Sequence, residues 1–203
     1  VASLAVAVSV LGYFVARRLG RRRMRMVAIA ALALLGAGII AGAGAGDVVA
    51  RFSLASTDAV ERFAVWGDTL QVIRDFPVFG VGPGGFGRAM LTYQVGDHGI
   101  FYAEAHNDYL QILSDGGLLV GITVAISLIT IVRAIAARVR DGEDDPVTYW
   151  IRTGAIAGLA GIAAQSVVEF SLHFSGNFAM FVFLAAVAAH RPVRTVRTHA
   201  RRV

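Results

Sequence analysis

The chain has 203 residues, 56% of them apolar and only 16% charged, with a mean hydropathy of +0.64, where a soluble domain carries roughly a quarter charged residues. It has no cysteine, which excludes disulfides, zinc–thiolate and iron–sulfur centres and cysteine nucleophiles. The formal net charge is +5, and a basic chain raises nucleic acid as a partner, a question that the placement of the arginines decides.

Five apolar runs approach the roughly 20 residues that a helix needs to cross a bilayer. They are residues 1–16, Met26–Gly46, Gly116–Val132 with a helix start near Tyr109, Thr153–Val168, and Phe170–Ala189. The chain opens at Val1 inside the first run with no basic stretch before it. That reads as a piece of a longer membrane protein rather than a signal peptide. Glycines in the second and fourth runs suit close helix approach in lipid.

The arginines sort by segment. Arg17–Arg25, Arg133–Arg152 and the tail after residue 190 hold most of them, whereas residues 47–115 and Glu169 carry an excess of acids. Five spans place the two sets on opposite faces, and the positive-inside rule puts the arginine-rich set in the cytoplasm. The basic charge then serves topology and contact with anionic membrane lipids, with no nucleic-acid partner. The predicted fold is all-α: a polytopic integral membrane protein fragment with about five transmembrane helices and a large helical periplasmic loop. Its parts are 1–46 (two transmembrane helices with an Arg-rich cytoplasmic loop), 47–115 (the large loop), 116–190 (three transmembrane helices) and 191–203 (a basic cytoplasmic tail).

A loop of the length of 47–115 exceeds ordinary connections and points to function. Asp58–Arg74 is helical by pattern, with Phe63, Trp66, Leu70 and Ile73 at three- and four-residue spacing and an acidic first turn from Asp58 and Glu61. Arg62 borders that stripe, where it either snorkels or aims at a ligand. Downstream, Gly80, Gly82 and Gly85 satisfy GxGxxG, with Glu104 nineteen residues beyond. No buried strand or βαβ unit surrounds them, so this is no dinucleotide fingerprint. The glycines supply either a tight structural turn or N–H groups for an anion nest, Gly82 and Gly84 among them.

The sharpest local signal is Glu104–Ala105–His106–Asn107–Asp108–Tyr109–Leu110. Asn107 or Asp108 caps a helix leading into the third span, and His106 stands just before its start. The positive helix end there favours the neutral imidazole that a general base requires; the plain alternative is a histidine that merely begins a helix. Glu169 and His173 interrupt two apolar runs, where an acid and a histidine are costly unless solvated, paired or used.

In order and spacing, Arg62, Trp66, Pro77, Gly80–Val81–Gly82, Phe86, His106–Asn107, Leu110, Gly117, Glu169–Phe170, His173 and Asn177 resemble the C-terminal half of the O-antigen ligase and O-antigen polymerase superfamily of bacterial membrane proteins, from about residue 50 to 190. One position departs: where the family places Gly, Thr or Tyr three residues after Gly117, this chain has Val120. The resemblance implies a multi-pass protein of the bacterial inner membrane whose site faces the periplasm or cell exterior. It implies an inverting, metal-independent glycosyltransferase with no cofactor, moving a glycan from undecaprenyl diphosphate to an acceptor hydroxyl on a lipid or polysaccharide. His106 then falls on the family's catalytic histidine, the base, and Glu169 is a second catalytic candidate that orients either an imidazole or an acceptor sugar. Arg62 binds the diphosphate, aided by Arg88, Gly82 and Gly84, while Asn107, Asp108, His173 and Trp66 support the site or its acceptor. The alternatives are an O-antigen or exopolysaccharide polymerase using the same donor, and a lipid-linked glycan transporter.

Overall fold

Six α-helices and one 3₁₀ turn make up the described part of the molecule. The computed structural model describes residues 2–18, 45–95, 99–142 and 144–191, with isolated positions between 22 and 38. Most of the expected second span, Met26–Gly46, and the basic tail beyond Arg191 lie outside the described residues. The helices are α1 (Ala2–Arg18), α2 (Ala45–Asp75), α3 (Phe86–Tyr93), α4 (Asp108–Asp141), α5 (Pro146–Gln165) and α6 (Ser175–Ala189), with the 3₁₀ turn Ser171–His173 between α5 and α6. No strand occurs among the described residues, so the all-α expectation holds.

The expectation of about five spans does not. Among the described residues only α4 is both long and apolar enough to cross a membrane. A run of apolar letters does not say where a helix stops. The run Phe170–Ala189 divides into the 3₁₀ turn and a 15-residue α6, about 22 Å long against a hydrocarbon core of about 30 Å. In α1 the apolar stretch is Val6–Val15. The run Thr153–Val168 belongs to α5, which ends at Gln165 and carries Arg152 inside its length. The multi-pass inner-membrane localisation, with its site assigned to the periplasmic side, rested on those five spans and falls with them.

Two helical groups meet at the site. In one, α1 lies on α5, with the Tyr149 hydroxyl donating to the Phe14 carbonyl (3.2 Å), and α5 lies on α6. Arg152, only 4% exposed, joins three segments. Its guanidinium grips the Asp144 carboxylate at 2.7 and 2.9 Å and donates to the Ala188 and His190 carbonyls at the end of α6. There a cation complements the negative helix terminus. By sequence Arg152 falls among the cytoplasmic loop charges; the fold buries it.

In the other group, α2 packs on α3 and α4 around Val65, Val72, Phe86, Met90 and Ala105. The buried stripe of α2 is therefore Val65, Thr69 and Val72. The predicted stripe put Phe63 and Leu70 inside, yet both are exposed, because periodicity alone cannot tell which of two overlapping stripes a partner will cover.

Two features shape the first third of α4. Asn107 caps it, its side-chain oxygen accepting from the Tyr109 and Leu110 amides (3.0 and 3.1 Å). At Gly117 the helix breaks, with φ 61° and ψ −162°. A straight helix would join the Leu118 and Leu119 amides to the carbonyls four residues back, those of Ser114 and Asp115. Instead the loop after α2 enters the gap. The Leu118 and Leu119 amides donate to the Pro77 and Val78 carbonyls (2.8 and 3.2 Å), while the Val81 and Gly82 amides donate to Ser114 and Asp115 (2.8 and 3.0 Å). Kinks of this kind arise where something inserts into the helical ladder; here the insert is another stretch of backbone.

Candidate functional site

Arg62, on the buried side of α2, reaches across to the turn after α5. It donates to the Val168 carbonyl and to Glu169 Oε1 at 2.7 Å. Glu169 Oε2 lies 3.9 Å from His106 Nδ1, so one carboxylate stands between a guanidinium and an imidazole. His106 Nδ1 is buried and has no hydrogen-bond partner, and Phe170 meets the imidazole edge-on, with ring centroids 5.3 Å apart. Beside this trio a cleft of about 200 Å³ is lined by Glu61, Arg62, Val65, Tyr102 and His106.

The chain is held firmly around His106. The Trp66 indole N–H donates to the Ala105 carbonyl (3.0 Å), and the Ala105 amide donates to buried Gln111 Oε1 (2.7 Å). Gln111 in turn donates to Asp115 (3.0 Å). His106 itself has φ 51°, a left-handed conformation that a non-glycine residue adopts at some cost and that clusters at functional sites.

A second clasp positions Glu169. The Asp108 amide donates to the Ser166 carbonyl at the end of α5 (2.9 Å), and the Tyr109 hydroxyl donates to the Ala163 carbonyl (3.0 Å). The Asp108 carboxylate, 2% exposed, accepts from the Leu172 amide (3.2 Å) and lies 3.2 Å from His173 Nδ1. Of the two possible caps, Asn107 performs the capping and Asp108 fastens the Glu169 turn to the start of α4. Nearby Glu104 is partly buried. Desolvation pushes its carboxyl above the ordinary range, His173 and His106 draw it back, and Asp115 and Asp108 add to the rise.

The glycine loop forms the tight structural turn that is one of its two expected roles, with Gly80, Gly82 and Gly84 at positive φ and the Gly85 amide donating to the Gly82 carbonyl (2.9 Å). The Gly82 amide is bonded to the Asp115 carbonyl, Gly84 sits in open space, and Arg88 is exposed on α3. No contact joins these three to the Arg62–Glu169–His106 trio. Among the described residues no three His, Asp or Glu side chains gather as a metal ion would require. Tyr102 borders the site and is missed by the sequence reading, its one signal being an aromatic ring close to the His-Asn motif; Phe170, expected only as part of the Glu169–Phe170 pair, lays its ring against His106.

Residues 1–125, more than half of the chain, match the family described as O-antigen ligase. The chain belongs to the O-antigen ligase family. The stretch that matches contains Arg62, Trp66, the glycine loop and His106–Asn107 but stops short of Glu169 and His173, which the resemblance had included. No curated protein matches the chain. In this family member, then, the fold carries two residues from beyond the matched stretch to the start of α4, Glu169 to His106 and His173 to Asp108.

Proposed function

We propose that this O-antigen ligase family protein transfers a glycan from undecaprenyl diphosphate to an acceptor hydroxyl, with inversion at the anomeric carbon. The observation that carries the reading is the bridge Arg62–Glu169–His106 beside a cleft. With its proton on Nδ1, facing Glu169, His106 keeps its Nε2 lone pair for the acceptor hydroxyl, and the carboxylate steadies both tautomer and ring. The acceptor oxygen gives its proton to Nε2 and attacks the anomeric carbon from the face opposite the diphosphate. As the new C–O bond forms, the old one breaks and its electron pair leaves on the diphosphate oxygen.

Charge accumulates on that leaving group, and Arg62 shares with the base the two oxygens of one carboxylate. A planar guanidinium grips phosphate oxygens through two parallel N–H donors. Arg62 is already held by Glu169, so a diphosphate would compete with a carboxylate for the same fork. Release of Oε1 frees Glu169 to close its 3.9 Å gap to His106. Donor binding would thereby complete the orientation of the base.

The test is glycan transfer from an undecaprenyl-diphosphate donor in membranes holding His106→Ala at equal protein abundance. A fall of about a hundredfold or more, within the range for a general base, supports the reading. Transfer near the parent level overturns it. The acceptor that loses label distinguishes ligation from polymerisation.

A further inference from the structure

The loop between α2 and α3 carries apolar side chains on its outside. Phe76, Val78 and Phe79 are exposed, Phe79 by 72%. In a water-facing loop that is a poor arrangement, since contiguous exposed apolar surface marks an interaction site. The seam with α4 fixes where this surface lies. Pro77 and Val78 are hydrogen-bonded to Leu118 and Leu119, and Leu118, Leu119, Val120 and Ile122 are themselves exposed. The loop surface therefore continues the outer surface of α4, the one helix among the described residues that is long and apolar enough to cross a membrane.

The depth follows from counting along α4. From Leu118 to Val132, ahead of Arg133, there are 15 residues, about 22 Å of helix, whereas the hydrocarbon core is about 30 Å thick. Measured back from Arg133, the core ends near Leu113. The seam then lies inside the hydrocarbon edge by roughly one turn of helix.

Irregular backbone is tolerated at that depth only where its polar groups are satisfied without water. Where the loop meets α4 this condition is satisfied. The Phe76 amide donates to Val72, Pro77 has no N–H, and the Gly80, Val81 and Gly82 amides donate to Phe76, Ser114 and Asp115. The Pro77 and Val78 carbonyls accept from α4.

The geometry points to residues 76–79 as a wedge seated in the acyl chains of a phospholipid bilayer, setting the depth of the molecule in the membrane. It stands apart from the proposed transfer reaction. Arg74, on the last turn of α2, is two residues before the wedge and within reach of lipid phosphates.

The chain has no cysteine, so single cysteines label cleanly. Phe79→Cys, Ile122→Cys and Ala64→Cys would each carry an environment-sensitive fluorophore, with the protein in vesicles of phosphatidylethanolamine and phosphatidylglycerol. At position 79 the emission is expected to shift to the blue, to be quenched by lipids spin-labelled high on the acyl chain as at position 122, and to resist iodide. Position 64, an exposed site on α2, is expected to do the reverse. Val78→Cys gives a second reading should Phe79→Cys fail to accumulate. Iodide quenching at 79 and 78 like that at 64 would overturn the proposal, as would resistance to both quenchers, which would mean that protein covers the loop.

Discussion

Gly117→Ala is the sharpest test of the seam between α4 and the loop after α2. The backbone there, φ 61° and ψ −162°, belongs to a region that is essentially open only to glycine, at about 1–3 kcal/mol for other residues. Space is also lacking: a Cβ on Gly117 would overlap the Val78 carbonyl and stand 2.6 Å from the Gly80 nitrogen. No side-chain rotation relieves a clash with backbone, so the seam must open. A straightened α4 regains two helical hydrogen bonds while the loop loses four, a net loss of two at about 0.5–1.5 kcal/mol each. The variant should lose about 1–3 kcal/mol relative to the parent. Amide hydrogen exchange reports the seam locally. Protection of Val81 and Gly82 should fall by roughly 5- to 150-fold, since each 1.4 kcal/mol is about tenfold. Gly67→Ala, where a Cβ meets nothing within 4 Å, serves as the control and should be neutral or mildly stabilising. Unchanged protection of Val81 and Gly82 in Gly117→Ala, with stability within about 0.5 kcal/mol, would refute the reasoning.

Arg152→Met should cost about 3–5 kcal/mol, measured by thermal unfolding, because it strands Asp144 and two helix-end carbonyls in a buried setting. Glu169→Gln should cost no more than about 1 kcal/mol of stability, since its pair with Arg62 is about a third exposed, so any large effect on transfer would be chemical rather than structural. Asn107→Ala should lower stability by about 1 kcal/mol through loss of the cap, again read in a melt. The Glu104 carboxyl is raised by burial from its ordinary 4.5. A raised acid binds more protons folded than unfolded, so its contribution turns against folding as pH climbs through that value and above. Glu104→Gln should therefore be more stable than the parent at neutral pH, with the difference shrinking as pH falls below the ordinary carboxylate range; an identical pH profile would argue against it.

Much of the site is legible in the residues. The His-Asn pair, the cap and the helix that follows come from local pattern, which is what short-range physics writes into sequence, whereas pattern leaves Arg62 between snorkelling and binding a ligand. What escapes it is long-range. Arg62 and Glu169 are 107 positions apart, and nothing in either neighbourhood states that one carboxylate will span both the arginine and His106. Arg152 looks like a loop charge because its partners, Asp144 and the end of α6, are recognisable only once the helices are assembled. The glycine loop invites an anion-nest reading because glycine signals backbone freedom without saying what approaches. The fold answers that it is α4, through Gly80 and Gly117, whose missing side chains let two backbones meet. The overcount of spans has a similar origin, for hydropathy runs ignore the turn at Ser171–His173 and the early end of α5.

The most direct measurement of the central claim is a double-mutant cycle on glycan transfer with His106→Ala, Glu169→Gln and the pair together, at matched abundance. If Glu169 acts by orienting the His106 imidazole, the double variant should be no slower than His106→Ala alone, because residues that act as a unit are not additive. Losses that multiply would show that Glu169 works independently of the histidine, and a His106→Ala protein at parental activity would remove the base from the site altogether.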